Sequence, residues 1–245
     1  FCCQVKHYGL SVCRNKHNVL LKYTFLRDIR ALKARQRIRK LEASMFYRPE
    51  IDNHGLPHNP FKAIVAPRPV GWISTLDQDG NANLAPYSFF NGVQDIPPMV
   101  MYSTTGRKLG IDEEKDSLTN IRETGEFCVS IVSFDLQDAM NISSAHKPRG
   151  DDEYKHAGLT KGTPNVVNAP FVAEAPASLE CRFFKEIELP GHAFVILGEV
   201  VGVHIQDQHI RDGLLDITSY KPLARLGYHD YSTVTETFSL NRPDQ

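Results

Sequence analysis

The sequence predicts a mainly β barrel with helical insertions, preceded by a basic leader. Three observations predict it. Short β-type apolar runs alternate with turn residues through most of the chain. Helical patterns are few and do not alternate regularly with those runs, so parallel βαβ units are not indicated. Charge divides the 245 residues into unlike parts. Residues 1–44 carry eleven Lys and Arg against two Asp and Glu, a net +9, and residues 45–245 carry a net −10, so the formal total of −1 is a cancellation.

Composition narrows the class. At 41% hydrophobic and 23% charged, the chain has ordinary globular usage and too many apolar residues for disorder throughout. Its length suits one compact domain and is short for two. No apolar run approaches the ~20 residues that span a bilayer. Three of the five Cys (Cys2, Cys3 and Cys13) lie in the leader, leaving Cys128 and Cys181 far apart. That is neither a disulfide framework nor a CxxC metal pair, and a reducing cytoplasmic compartment is expected.

In the leader, Leu26, Ile29, Leu32, Ile38 and Leu41 recur at helix-like intervals among Arg and Lys. A basic amphipathic helix of this kind suits a nucleic-acid arm, a membrane-surface helix or the remnant of an organelle presequence. Against these readings, the first Met is Met45, where the composition changes abruptly. The leader is therefore expected to be upstream sequence ahead of the native start, and neither a nucleic-acid partner nor a membrane is expected.

The elements follow in order. Residues 70–76 and the run ending at Phe90 form a hairpin in GWISTLDQDGNANLAPYSFF, with Asp79 and Gly80 at the tip. Residues 98–103 (PMVMYS) read as a buried strand. Residues 115–124 read as a helix that Asp116 or Ser117 caps and Gly125 ends. Residues 126–132 are a strand and residues 134–145 a short helix with a loop. Residues 146–170 are a polar excursion. Residues 179–188 and 192–205 are long β runs, and residues 210–216 a short helical segment.

Motifs for a nucleotide-binding P-loop, a dinucleotide fold, a zinc protease and a serine hydrolase are absent, and the ten His are not at tight metal-ligand spacings. No metal site is expected. What stands out is a set of small and polar residues at strand ends. Ser74 and Thr75 follow Trp72; Asn83, Pro86, Tyr87, Ser88 and Asn91 follow the hairpin turn. Ser103, Thr104, Thr105, Gly106, Arg107 and Lys108 follow the PMVMYS strand, and Lys115, Asp116 and Ser117 open the helix. Hydroxyls, a helix N-terminus and several cations are what a phosphate monoester requires. Trp72, Phe89 and Phe90 could flank a flat ring. Equally, all of these are ordinary turn and cap residues.

The segment APRPVGWISTLDQDGNANLAPYSFFNGVQDIPPMVMYSTTG followed by KDSLTNIRETGEFCVSIV resembles the flavin reductase-like family of FMN-binding split barrels. DDEYKHAGLT, APASLECRF, LGEVVGVHI, KPLARLGYHDYS and FSLNRP extend the resemblance over residues 45–243 and leave out the leader. The family includes the flavin reductase component of nitrilotriacetate monooxygenase. The resemblance implies a split β-barrel over residues 45–245, a homodimer, bound FMN, and NADH or NADPH as co-substrate. It implies that reduced flavin passes to a separate monooxygenase. Alternatives are a self-contained FMN-dependent oxidase or oxygenase and a non-catalytic FMN-binding protein for electron transfer. By the same resemblance, Trp72, Ile73, Ser74 and Thr75 lie along the isoalloxazine. Asn83, Ala85, Pro86, Tyr87 and Ser88 contact the ring edge and ribityl chain. Ser103, Lys115, Asp116 and Ser117 hold the phosphate, with Arg107 beside them, although LGIDEE separates Arg107 and Lys108 from Lys115. Arg225 approaches the flavin or the partner subunit. No side chain need act as acid or base; His192 is the candidate for the nicotinamide site. His204, Cys128 and Cys181 read as structural.

Overall fold

A ribbon of seven antiparallel strands dominates the computed structural model, which describes Lys33, residues 44–108, Gly110 and residues 112–243. The chain divides into two units, residues 1–57 and 58–245. The leader expected over residues 1–44 lies outside the described residues except for Lys33 and Ser44. In the described part of the first unit, Arg48 grips Asp52 through two guanidinium nitrogens at 2.9 and 3.0 Å.

Among the described residues, the second unit begins with a short helix, α1 (Phe61–Ile64), and fourteen strands follow. These are β1 (Arg68–Pro69), β2 (Gly71–Leu76), β3 (Ala82–Tyr87), β4 (Phe90–Asp95), β5 (Pro98–Thr104), β6 (Glu126–Ile131) and β7 (Lys161–Gly162). The series continues with β8 (Phe171–Val172), β9 (Ala177–Leu189), β10 (Ala193–Ile205), β11 (Ile210–Arg211), β12 (Leu214–Leu215), β13 (Leu223–Arg225) and β14 (Tyr231–Thr233). The other α-helices among the described residues of this unit are α2 (Asp116–Thr124), α3 (Gln137–Ser143), α4 (Glu153–Ala157) and α5 (Ile217–Tyr220).

The large sheet runs β3-β2-β6-β9-β10-β5-β4, with every pair antiparallel. Its two outermost strands are consecutive in the chain, joined only by Ser88 and Phe89. The ribbon must therefore curl until its edges meet, and the Ser103 N–H donates to the Phe89 carbonyl at 2.8 Å, carrying the β4–β5 ladder one step further to the link between the edges. Since β3 and β4 share no ladder, the mainly β barrel expected from the sequence is split there. Register shifts at Leu197/Gly198 and Val200/Gly202 bend the long β9–β10 hairpin around the barrel.

Inside, Ile73, Val100, Tyr102, Phe127, Val129, Cys181, Phe194 and Ile196 form the core, and α2 closes it with Leu118 and Ile121. A second core lies on the outer face of β2 and β3, where Val70, Trp72 and Leu84 pack on Val132, Met140, Tyr154 and Val172. Gly71 through Thr75 of β2 are consequently buried without a break. Cys128 and Cys181 are fully buried free thiols, and burial pushes both well up.

Several boundaries differ from the sequence reading. Residue 115 is the N-cap of α2, and its side chain makes no cap bond. Ser117 is drawn to Tyr87 and Asp116 to Lys108, so neither caps. The excursion at 146–170 contains α4, capped by Asp152 and ended by Gly158 at φ 68°. The helix expected over 210–216 is instead the β11–β12 hairpin. Asp212 and Gly213 both take positive φ, as a tight hairpin turn requires, and that turn wins over helix.

His204 is structural: its ring stacks on Phe171 at 4.3 Å and its Nε2 lies 2.6 Å from Glu180. Glu180 is 1% exposed and accepts the N–H groups of Asn165, Val166 and Val167. Burial pushes its pKa up, but these bonds and His204 outweigh it and hold the group at about 2.

Two predictions follow from this packing. An alanine Cβ at Gly198 would lie 2.4 Å from the buried Phe127 ring, so Gly198→Ala should cost ~1–3 kcal/mol, read as a lower urea midpoint. Glu180 is more acidic folded than at its ordinary 4.5, so its stabilisation is complete above 4.5 and fades as pH falls toward 2. Thermal melts across that range should show the loss, and Glu180→Gln should flatten it.

Candidate functional site

A cavity of about 280 Å3 opens beside the barrel seam. One wall is β3 and its continuation: Asn83, Ala85, Pro86, Tyr87, Ser88 and Phe89. Ser103 and Thr105 come from the end of β5, and Lys115, Asp116 and Ser117 from the start of α2. Opposite are residues 143–147 after α3, and Glu153 at the start of α4. Lys62 reaches in from α1.

Local structure explains the placements. The Arg68 guanidinium, nearly buried, donates to the carbonyls of Lys62 at 2.5 Å, Val65 and Leu226 at 2.7 Å, pinning α1 against the seam. Lys62 and Arg68 lie 6.0 and 5.7 Å from the Phe89 ring, as cation–π neighbours. The α2 N-terminus brings the partly unpaired N–H groups of a first helical turn to one end of the cavity. Lys115 stands there, its pKa lowered by burial and then by Lys108. Lys108 also lines the cavity, but its charge is spent on Asp116 at 2.7 Å and Glu113 at 3.2 Å.

The Tyr87 hydroxyl lies 2.5 Å from Ser117 Oγ, and burial pushes it up to about 12, so it stays protonated. The Asn83 Nδ2 is buried without a hydrogen-bond partner. Burial raises the Glu153 pKa, while the N–H groups of Leu84 and of Glu153 itself pull it down.

Of the residues singled out in the sequence, Asn83, Ala85, Pro86, Tyr87, Ser88, Ser103, Lys115, Asp116 and Ser117 meet at this cavity. Trp72, Ile73, Ser74 and Thr75 do not line it. All four are fully buried with their polar atoms engaged: Trp72 Nε1 donates to Ser143 Oγ at 2.9 Å, Ser74 Oγ is 2.8 Å from the Tyr154 hydroxyl, and Thr75 Oγ1 accepts from Asn120 at 3.0 Å. Of the aromatic residues proposed to flank a ring, Phe89 lines the cavity, and Trp72 and Phe90 are core. Arg107 pairs with Asp112 at 2.6 Å. Arg225 faces Tyr231 and the Tyr228 carbonyl across β13–β14. His192 is exposed in the β9–β10 turn at φ 57°. None of these three lines the cavity. Sequence reasoning missed Lys62, residues 143–147 and Glu153. The run SSAHK after α3 carried a weak signal in its small, polar and cationic residues. Among the described residues no cluster of His, Cys, Asp and Glu is placed to hold a metal, and no helix is long and apolar enough to cross a membrane.

Residues 65–224 match the flavin reductase like domain, and the chain belongs to that family. A protein of Aquifex aeolicus is 38% identical over 167 residues, covering 67% of this chain and 83% of that one. Nitrilotriacetate monooxygenase component B from Bacillus cereus superposes with a TM-score of 0.74 at 30% identity, over 81% of this chain and 99% of that one. Flavoredoxin of Desulfovibrio vulgaris (Miyazaki F) gives 0.63 at 26% identity, over 72% and 91%.

Trp72 is the single tryptophan and reports on this wall. Ser143→Ala removes the acceptor of its buried indole N–H, so it should cost ~1–3 kcal/mol and shift tryptophan emission. An unchanged urea midpoint would contradict the role given to Ser143.

Proposed function

We propose that the protein is an FMN-binding NAD(P)H:flavin oxidoreductase that supplies reduced flavin to a separate monooxygenase. The observation that carries this is the polarity of one cavity. Its α2 end combines a helix N-terminus with Lys115, Ser117 and Ser103, the donor set a phosphate monoester needs. Its β3 wall offers Pro86, Tyr87 and Phe89 to a flat ring. These residues fit FMN in chemistry and order, and the family membership and the component B likeness support the same reading.

Bound there, FMN would supply two-electron chemistry, taking hydride from a reduced nicotinamide. The chain's own tasks are binding and orientation. Lys115 and the α2 amides would fix the phosphate, the β3 wall would set the ring plane, and Phe89 with Pro86 would keep water off one side. Tyr87 stays neutral at physiological pH and would act as a hydrogen-bonding partner, not as a base. A homodimer belongs to this reading, and the exposed Phe184 and Ile187 on β9 and Val203 on β10 are consistent with one.

Titration with FMN and riboflavin tests the site. Lys115→Ala should weaken FMN about tenfold and riboflavin less than twofold, because one charge-assisted phosphate contact is lost. Stopped-flow mixing of the FMN-loaded protein with NADH and with NADPH tests the activity. No loss of flavin colour with either would overturn the reductase reading.

A further inference from the structure

Three consecutive acidic residues, Asp112, Glu113 and Glu114, stand shortly before α2, and each meets a cation. Asp112 Oδ1 accepts from Arg107 at 2.6 Å, Glu113 Oε2 from Lys108 at 3.2 Å, and Glu114 Oε2 from Arg122 at 2.6 Å. Lys108 lines the cavity, and Arg107 and Arg122 do not. Lys108 also lies close enough to Lys115 to lower its pKa, which puts both cations at the α2 end.

The two carboxylates on Lys108 differ. Asp116 lies 2.7 Å away with its side chain 14% exposed, so it is the fixed partner of the ammonium. The Glu113 side chain is 60% exposed and its bond is longer, so another anion can replace it with little loss of burial. Its backbone stays nearby. The Lys108 N–H donates to the Glu113 carbonyl at 2.9 Å, and Arg122 holds the adjacent Glu114 while gripping Glu186 of β9 at 2.8 Å. A carboxylate tethered in this way acts at a high effective concentration.

We propose that Glu113 is a built-in competitor of the ligand's phosphate: its carboxylate holds the Lys108 ammonium until a phosphate monoester displaces it. The inference rests on the flavin reading and deepens it. The internal pair weakens the grip on the phosphate and leaves the β3 wall untouched, which suits a flavin that is released to another protein. A flavin without a phosphate does not feel the competition.

Fluorescence titration of the full chain with FMN and with riboflavin, at low salt, gives the readout. Glu113→Gln removes one charge at nearly constant volume from an exposed position, so the fold is not at stake. It should tighten FMN about fivefold, the upper range for one exposed ion pair, and leave riboflavin within about twofold. Asp112→Asn removes an equal charge one residue away, from a cation outside the cavity, and should change FMN less than about twofold.

Unchanged or weaker FMN binding in Glu113→Gln would make the carboxylate a structural clamp and overturn the proposal. An equal gain for riboflavin, or an equal gain in Asp112→Asn, would also overturn it, because the effect would then not be local to the phosphate. A wild type that binds neither flavin would overturn the flavin reading itself. That result is distinct from a wild type that binds FMN and does not respond to the loss of Glu113.

Discussion

The fold depends on a link of two residues. Ser88 and Phe89 join β3 to β4, the two edges of the seven-stranded ribbon. Without that link the antiparallel order would be satisfied by an open, twisted sheet. With it, the edges are held within one short connection, and the apolar faces of β2, β5, β6, β9 and β10 turn inward on each other. The seam is then held by the covalent chain, with no ladder between β3 and β4. A closed ladder would have left no gap at that wall. The cavity sits beside this seam because it is where strand backbone, a helix N-terminus and loop residues come together without filling the space.

The same closure explains why the site is rigid on one side. β2 is the strand next to the edge, and it is covered on the inside by the barrel core and on the outside by α3, α4 and Tyr154. Burying a tryptophan as fully as Trp72 contributes several kcal/mol, and truncating such a residue to alanine typically costs about 3–5 kcal/mol. The β3 wall is therefore hydrogen-bonded to a strand that cannot easily shift. The other side, with Lys62, residues 143–147 and the α2 N-terminus, is built from helix ends and loops, where charged groups are cheaper to place.

Much of this was legible in the sequence for identifiable reasons. Asp79 and Gly80 mark the β2–β3 hairpin, with Gly80 at φ 84°, and Gly125 ends α2 in the left-handed conformation the sequence called for. Part of the predicted set of hydroxyls and cations meets at the cavity (Ser88, Ser103, Thr105, Lys108, Lys115 and Ser117), because the end of β5 and the start of α2 lie beside β3, whereas Ser74, Thr75 and Arg107 do not line it. The side chains of residues 72–75 were harder to place. Period-2 alternation says which residues share a face, but in a strand buried on both faces it does not say which face meets a ligand. Glu153 was not visible because its contact with Leu84 spans 69 residues, while its local pattern shows only a helix start. The β11–β12 hairpin was missed despite its Asp-Gly turn, because two-residue strands leave almost no alternation to read.

A split barrel also keeps two strand edges, and an unpaired edge is a template for another chain. On β3 the Leu84 N–H points away from β2 and would be available for such pairing. The Glu153 carboxylate occupies it at 3.0 Å, and α4 lies across the strand at that point. One acidic side chain therefore serves two ends at once. It lines the cavity, and it withholds a backbone donor from intermolecular sheet extension, so the colloidal behaviour of the folded protein and the chemistry of its pocket are fastened to the same carboxylate.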